Sequence, residues 1–527
     1  MMKFKNFVQI LILFLIFACC VSAVNAVADS DDAMGLSEND EVGLQDEVTE
    51  ISQANPDTLS QPQEEINLEK ASNQNIVAKD ESKKVLSTPL SQFEEDLDSD
   101  KANVVLTDDI KITSPFYVYG NKVIDGQGHT IDAQHKTNIF ILKGKLTLKN
   151  MVLINGKAAQ GGAIYSYTHD LVVDNCRFEN NFASENGGAI YISTAKLTVT
   201  NSKFIKNSVE NSKSSGHGGA IWIYKGSSKI SKSVFKSNTA LSKALKDHKK
   251  ATKYQFGGGA VYYNEGNTHT LTECTFTGNK ASNHGGAVYA HKPKSVSIKK
   301  CTFDKNKVSY EDGGAITFNG KKLVIDGSKF TNNLAYEDGG VMDALSLTKE
   351  KSKITITNTV FKGNTAYKGA GCIWMGVKTV FTMKNNQFIN NKASIGGAIF
   401  SEAGTAKITS CLFKGNKAGK ITSWTVKTKA GGVLKHCGGA MMIQNKNIKV
   451  YKCTFKSNKA TWGGAIFLKG GKFTFVGNKL SSNKAKGGKA LFSSKKIKIS
   501  NKNKWGGKST KKALKVKHLI EKNVSAK

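Results

Sequence analysis

Residues 274–290 read CTFTGNKASNHGGAVYA, and residues 301–318 read CTFDKNKVSYEDGGAITF. In both stretches a phenylalanine is followed three residues later by an asparagine, then by alanine or valine, and then by a pair of glycines. The second stretch begins 27 residues after the first. A unit that returns at such a period is typical of a repeat protein, in which each unit packs on its neighbours.

The unit recurs eleven times from residue 161 onward, with a usual period of 25–28 residues. Ten copies carry Gly-Gly, and a degenerate GAGC begins at Gly369. The asparagine that follows the phenylalanine, or Leu480 in the last copy, is present every time, at Asn181, Asn207, Asn238, Asn279, Asn306, Asn333, Asn364, Asn391, Asn416, Asn458 and Asn483.

Apolar residues alternate with polar ones between each glycine pair and the next phenylalanine, as at Ile190, Ile192, Leu197 and Val199. This period of two indicates short strands, and the absence of a helical period excludes leucine-rich and tetratricopeptide solenoids. Three short strands in each turn predict an all-β parallel β-helix of about fourteen turns. Successive turns are expected to stack at the strand spacing of about 4.8 Å.

In-register stacking places equivalent residues above one another. The phenylalanines are then expected to form an inner apolar column, and the asparagines an amide ladder. Two residues before each phenylalanine lies a small residue, which explains five of the seven cysteines beyond the N-terminal region as packed thiols. A disulfide or metal site is the alternative, and the stacked Cys274 and Cys301 suit it best.

The sequence divides into four parts. Residues 1–26 have lysines, an apolar run and small residues that predict a signal peptide, which would anchor the chain if it stayed uncleaved. Residues 27–100 hold 20 carboxylates and 4 lysines and predict an acidic disordered linker, or alternatively a tether that masks the basic surface. The β-helix is predicted over 101–505, and 506–527 are expected to form a basic C-terminal tail or cap. No later apolar segment is long enough to serve as a membrane anchor.

The chain has 76 Lys and Arg against 42 Asp and Glu, but Arg177 is its single arginine. Planar guanidinium groups are the usual choice for phosphate recognition, so this composition argues against nucleic acid as a partner. Lysines spread over the surface instead favour anionic polymers outside the cell as binding partners.

The GGAI and FxxN repeats resemble those of the polymorphic outer-membrane proteins. The segment VIDGQGHTIDA at 123–133 and the turns that follow resemble adhesin-like proteins of methanogenic archaea, in the pectin-lyase-like superfamily. The resemblance covers about residues 103 to 500. It implies a right-handed parallel β-helix that is displayed outside the cell. It does not extend to a translocator barrel or to wall-binding repeats, so the sequence does not indicate how the chain is held at the surface.

Two long insertions, 241–257 and 419–437, leave from the same corner of the repeat. They are rich in lysine and contain Tyr254 and Trp424, a combination that suits stacking on the sugars of an anionic polymer. The alternative is that both are tolerated surface loops.

The residue before the glycine pair is His284, Asp312 and Asp338 in three successive turns, and Glu311 is expected to stack beside Glu337. Stacked carboxylates about 5 Å apart are candidates for cation binding or for glycoside hydrolysis, and the alternative is a solvated turn that adjacent repeats share. No residue is assigned to catalysis, to a cofactor or to a metal site.

These observations predict a monomeric, secreted, cell-surface or wall-associated adhesin-like protein. Its expected partners are anionic glycans of a cell wall or of another cell. The alternative is a polysaccharide lyase or glycoside hydrolase of the pectin-lyase-like fold, which the uniform turns disfavour because a catalytic site needs a local departure from the repeat.

Overall fold

The computed structural model describes residues 88–211, 215–242, 255–347, 349–421, 426–427, 433–434, 436–444, 447–494, 496–509, 520–521 and 524–526. They form a right-handed parallel β-helix, so the predicted fold is confirmed. Three long sheets of 14 to 16 strands run along the axis and give about 13 turns, close to the predicted fourteen. The predicted segments 1–26 and most of 27–100 lie outside the described residues.

Sheet 1 follows the glycine pairs and has 15 strands: Phe116–Tyr119, Phe140–Lys143, Ile164–Ser166, Ile190–Ser193, Ile221–Tyr224, Val261–Asn264, Val288–His291, Ile316–Phe318, Met342–Ala344, Ile373–Met375, Ile399–Ser401, Met441–Ile443, Ile466–Leu468, Leu491–Ser493 and Ile520–Glu521. Sheet 2 comes next in each turn and has 14: Asn103–Val105, Lys122–Asp125, Leu146–Lys149, Leu171–Asp174, Lys196–Thr200, Ser227–Ser231, Thr268–Thr272, Ser295–Lys299, Lys322–Asp326, Ser352–Thr357, Thr379–Lys384, Thr405–Thr409, Ile448–Tyr451 and Phe473–Val476.

Sheet 3 carries the phenylalanines and has 16 strands: Ile110–Lys111, Thr130–Asp132, Val152–Ile154, Arg177–Glu179, Lys203–Ile205, Val234–Lys236, Thr275–Thr277, Thr302–Asp304, Lys329–Thr331, Val360–Lys362, Gln387–Ile389, Leu412–Lys414, Thr454–Lys456, Lys479–Ser481, Lys504–Trp505 and Lys508–Ser509. Two small pairs lie outside the long sheets: Val426–Lys427 with Val433–Leu434, and Ile497–Ile499 with Val524–Ala526.

Sheet 4 is a shorter sheet of 12 strands that the sequence analysis did not predict. It begins directly after the ladder asparagines, and its strands are Lys157–Gln160, Phe182–Asn186, Ser208–Asn211, Gly216–His217, Thr239–Ser242, Phe256–Gly257, Lys280–Ala281, Lys307–Val308, Leu334–Ala335, Thr365–Ala366, Lys392–Ala393 and Lys417–Ala418. Most of its strands have only two residues, too few for an alternating pattern to show in the sequence.

The phenylalanines form the predicted inner column. The rings of Phe276 and Phe303 lie 4.7 Å apart and within 4° of parallel, and most neighbouring pairs along the column repeat this geometry. Their side chains are fully buried. Stacking therefore gives each turn an apolar contact surface that a single turn could not provide.

The amide ladder runs beside this column. The Nδ2 of Asn306 donates to the Oδ1 of Asn333 at 3.0 Å and to the carbonyl of Phe276 at 3.0 Å, while its backbone N–H donates to the same Oδ1. The pattern repeats from Asn181 to Asn483. The buried amides from Asn181 to Asn458 are thus paired above and below, as buried polar groups require.

The small residues two positions before each phenylalanine form a third column. The backbone N–H of Cys301 donates to the Oγ of Ser328 at 3.1 Å, and that of Cys274 to the Sγ of Cys301 at 3.4 Å. All seven cysteines of the described part are buried and none of them forms a disulfide, so Cys274 and Cys301 are not joined.

Each glycine pair turns the chain sharply, so that the residues before it cover the outer face of sheet 1. Gly285 has a φ of +56°, and a Cβ on Gly286 would lie 2.2 Å from the carbonyl oxygen of Gly314. As a result, outward side chains of sheet 1 are buried in an aromatic cluster around Trp222 and Tyr262 and in an apolar cluster around Phe400 and Phe467.

A helix, α1 (Pro89–Asp98), covers the first turn, and the predicted disordered linker 27–100 therefore extends too far. Thr88 caps the helix by accepting from the N–H of Ser91 at 3.1 Å. Phe93 and Leu97 are buried, and the ring of Phe93 packs on Phe116 at 5.1 Å. The amino-acid composition did not predict this helix, because the helix packs on the exposed end of the sheets and composition does not show that surface. Within the described residues no helix has the length and apolarity to cross a membrane.

Candidate functional site

Asp312 and Asp338 occupy the same position in successive turns and bond the backbone of the turn that follows. The N–H of Asp338 donates to the Oδ1 of Asp312 at 2.8 Å, and the N–H of Gly369 donates to the Oδ1 of Asp338 at 2.6 Å. His217 accepts in the same way from the N–H of Gly257. These side chains are half-buried rather than solvated, and they satisfy main-chain donors where sheet 4 ends. Ligand binding by His284, Asp312 and Asp338 stays a prediction.

A partly exposed row of titratable side chains runs beside them. The Nε2 of His284 lies 3.1 Å from the Oε2 of Glu311, and the Nζ of Lys368 lies 2.5 Å from the Oε1 of Glu337. Glu337 donates its backbone N–H to the carbonyl of Glu311, which places the two glutamates in adjacent turns. The sequence predicted that these carboxylates stack but missed their flanking partners.

Asp343 is a buried carboxylate that the sequence analysis missed. It lies opposite Thr317 and Trp374 on the outer face of sheet 1 and is 2% exposed. Its Oδ1 has no hydrogen-bond partner among the described residues. The sequence did contain an indication of this group. Asp343, in the segment MDA, occupies a position at which most of the remaining turns have an aromatic or aliphatic residue.

Burial raises the pKa of each of these carboxyl groups, and the neighbouring negative charges raise the pKa values further. The pKa of Glu311 rises to about 6, that of Asp338 to about 7 and that of Asp343 to about 8, while the pKa of Asp312 lies well above its usual range. This region thus holds protonated carboxyl groups near neutral pH. In the described part of the chain, no group of three or more His, Cys, Asp or Glu side chains is arranged to hold a metal ion.

The two long insertions leave from the same part of the repeat, as predicted, and the structure shows that this part is sheet 4. The first insertion begins within the strand Thr239–Ser242 and ends with the strand Phe256–Gly257, and Lys417–Ala418 precedes the second. The predicted ligand-binding residues Tyr254 and Trp424 lie outside the described residues.

Positive charge is concentrated in one half of the β-helix. Residues 351–520 contain 35 lysines and a single carboxylate, Glu402, whereas residues 101–350 contain 33 basic and 20 acidic residues. The sequence analysis treated the domain as one body and missed this division. In the lysine-rich half lies a groove of about 360 Å³ beside sheet 4, lined by Lys417, Lys420, His436, Lys459, Lys484 and Lys486.

Comparison with known proteins agrees with this architecture. Residues 246–413 match the family described as right handed beta helix region, and residues 175–193 and 452–469 match the Chlamydia polymorphic membrane protein repeat. A transmembrane domain-containing protein of Dictyostelium discoideum is 39% identical over 66 residues, which are 12% of this chain and 4% of that protein. The chain thus spans only a small part of this relative. No solved structure matches. The resemblance to right-handed β-helix proteins with polymorphic-membrane-protein repeats is confirmed.

Proposed function

We propose that this protein is a cell-surface, adhesin-like β-helix that binds anionic polysaccharide through its lysine-rich half. The observation that carries the proposal is the presence of 35 lysines and one carboxylate over residues 351–520. Parallel stacking displays outward lysines of successive turns in rows on a rigid surface. Such a surface attracts a polyanion over its whole length and suppresses binding to cationic partners.

The matched repeat type supports location at the outer surface, and the predicted signal peptide 1–26 supports export. The N-terminal sequence of the chain recovered from the cell exterior tests this point. A chain that begins shortly after residue 26 supports cleavage, and an intact residue 1 on membrane-bound material supports an uncleaved anchor.

The proposed binding is tested with the full chain and immobilised polygalacturonate, a linear polymer with one carboxylate per sugar. We expect retention near 0.15 M ionic strength and release at about 1 M, because the Debye length then falls to about 3 Å. Carboxyl-reduced polymer has the same backbone without charge and is expected to retain nothing. Equal retention on the charged and reduced polymers would contradict the proposal.

Glycan cleavage is the second candidate, and the stacked Glu311 and Glu337 favour it. The raised pKa of Glu311, about 6, is the property that a general acid needs, and Glu337 in the next turn lies against the ammonium group of Lys368. Incubation with uronic-acid polymers, followed by reducing-end or unsaturated-product assay, tests this candidate. Activity that Glu311→Gln abolishes would support it. Absence of products across the panel would remove it.

A further inference from the structure

Four lysines lie on one side of the β-helix in four consecutive turns, each directly after a ladder asparagine. Lys392 lies opposite Lys417, Lys417 opposite Lys459, and Lys459 opposite Lys484. All four side chains are exposed, and adjacent strands place their Cα atoms about 4.8 Å apart. We call these four residues the lysine row.

The row is electrostatically unfavourable in the absence of a partner, since like charges directly opposite one another on neighbouring strands destabilise a sheet. None of the four lysines forms an ion pair with any residue that the structure describes. The single carboxylate of this half, Glu402, has Lys469 as its charged neighbour. The residues that the structure describes therefore leave the repulsion along the row for another anion to relieve.

The groove beside the row adds further positive charge, because Lys420 and Lys486 line it together with three lysines of the row. In the two turns before Lys392, the position of the row is taken by Leu334 and Thr365.

Two residues beyond these positions, just after the ends of the two strands, lie Tyr336 and Tyr367. Their rings lie 5.6 Å apart, and Tyr336 is 41% exposed. Two neighbouring aromatic rings thus lie in the two turns that precede the lysine row, two residues beyond the position of the row.

We propose that the lysine row and the two tyrosines form a track for a linear anionic polysaccharide that lies parallel to the helix axis. The lysines pair with carboxylate or sulfate groups on successive sugars, and the tyrosine rings contact sugar faces. The inference deepens the proposed function and rests on it. A straight row of lysine point charges suits an extended polymer better than a nucleic-acid duplex, whose phosphates wind around their axis and are usually gripped by arginine.

The test compares two fourfold variants of the full chain. The row variant combines Lys392→Gln, Lys417→Gln, Lys459→Gln and Lys484→Gln. The control variant combines Lys407→Gln, Lys449→Gln, Lys479→Gln and Lys504→Gln, which removes the same charge from exposed strand lysines of sheets 2 and 3 in the same half of the chain.

Binding of fluorescent polygalacturonate is measured by anisotropy near 0.15 M ionic strength. We expect the row variant to lose at least about tenfold in affinity and the control variant less than about threefold, because only the row loses charges in contact with the polymer. Combined Tyr336→Ala and Tyr367→Ala should weaken binding without changing its salt dependence. Thermal unfolding of each variant by circular dichroism confirms that it is folded.

Equal losses in the two fourfold variants would overturn the track while leaving the proposed function standing. Failure of the unaltered chain to bind the polymer would overturn both. Tighter binding of duplex DNA, with greater sensitivity to the row variant than polygalacturonate shows, would overturn the assignment to polysaccharide. A large loss confined to the row variant and to the charged polysaccharide supports it.

Discussion

The asparagine ladder shows how a single side chain can stabilise three turns of the β-helix at once. Asn333 accepts two hydrogen bonds from Asn306, and its Nδ2 donates to Asn364 and to the carbonyl of Phe303. All of these groups are buried away from water. Removal of the amide therefore leaves several polar groups unpaired in the interior.

We expect Asn333→Ala to lower the free energy of unfolding by about 3 kcal/mol, because each buried unpaired group costs about 1–3 kcal/mol. The matched control is Asn447→Ala, an exposed asparagine between strands, which should change stability by less than about 0.5 kcal/mol. Urea unfolding followed by circular dichroism measures both. Similar midpoints for the two variants would show that the ladder contributes little.

The buried carboxyl groups make stability depend on pH. The pKa of Asp343 is raised from 3.8 to about 8, so the folded state binds this proton more tightly than the unfolded chain. The contribution to stability is complete below the unfolded value and is lost as the pH rises through about 8. Asp338, with a pKa of about 7, acts in the same direction.

Asp343→Asn should remove much of this loss, since the amide is neutral at every pH and has nearly the same shape. We expect the variant to unfold several degrees above the unaltered protein at about pH 9 and close to it at about pH 5. Differential scanning calorimetry across this range measures the difference. Parallel melting curves for the two proteins, displaced equally at every pH, would contradict a titrating Asp343.

Two partly buried histidines lower the stability of the protein at acidic pH. Burial lowers the pKa of His217 to about 3 and that of His284 to about 4, so their contribution is present above 6.5 and is lost as the pH falls towards those values. Stability is therefore expected to be greatest between the two windows.

At the residue scale, the sequence predicts the location of those residues that recur at a fixed position of the repeat. The asparagines, the phenylalanines and Cys274 with Cys301 could be placed because stacking requires only that like residues recur. Asp343 could not be placed as a buried group, because alternation assigns it to the outer face of sheet 1 and burial there depends on residues across the glycine turn. The backbone bonds of Asp312 and Asp338 escaped notice for the same reason.

At the scale of secondary-structure elements, the glycine pair forms the turn through which the preceding residues cover the outer face of sheet 1. The two glycines serve different needs. The first adopts a positive φ, and the second lies so close to neighbouring backbone that no side chain fits, as the 2.2 Å approach at Gly286 shows. Sheet 4 and the covered face of sheet 1 follow from this turn, which is why a three-strand pattern read from the sequence was incomplete.

We expect Gly286→Ala to destabilise the protein by more than about 3 kcal/mol, because the added Cβ overlaps backbone atoms that cannot rotate away. The control is Gly278→Ala. It has a similar positive φ of +63° to the first glycine of a pair, but only the Oγ of Ser237 lies near its added Cβ, at 3.8 Å. It should cost about 1 kcal/mol. Thermal unfolding of the two variants separates steric overlap from backbone strain, and equal losses would mean that the close approach can relax.

Helix α1 was absent from the prediction because it belongs to the first turn and not to the repeat. Phe93→Ala should uncover the end of the sheets, cost about 3–5 kcal/mol and promote association through the exposed edge. Glu94→Ala changes an exposed position of the same helix and serves as its control. Light scattering during heating reports association. If both variants stay monomeric with unchanged unfolding, the helix does not protect that end.

At the scale of the whole domain, the β-helix has one fold and two electrostatic halves. The repeat dictates the same backbone from one end to the other, so the charge of outward residues can vary without disturbing the core. Over residues 101–350, acids partly balance bases, and pairs such as Lys300 with Glu273 and Lys321 with Glu350 form across turns. Over 351–520 such balance is missing, and outward lysines face other lysines, as at Lys414 and Lys456.

This division predicts that salt stabilises the two halves unequally. Two unit charges 4 Å apart interact by about 1 kcal/mol even in water, and the Debye length falls from about 30 Å at 0.01 M to about 3 Å at 1 M. Raising the sodium chloride concentration over this range should therefore slow amide hydrogen exchange in residues 412–484 while residues 116–205 change little. Exchange followed by mass spectrometry reads both segments in one sample, so the second serves as the control for the first.

Polygalacturonate added at low salt should reproduce the effect on 412–484 at a far lower concentration of charge, because a polymer bound along the lysine-rich half neutralises many lysines at once. Equal slowing in both segments would mean that salt acts on the fold in general, and the electrostatic contrast between the halves would then have no energetic consequence.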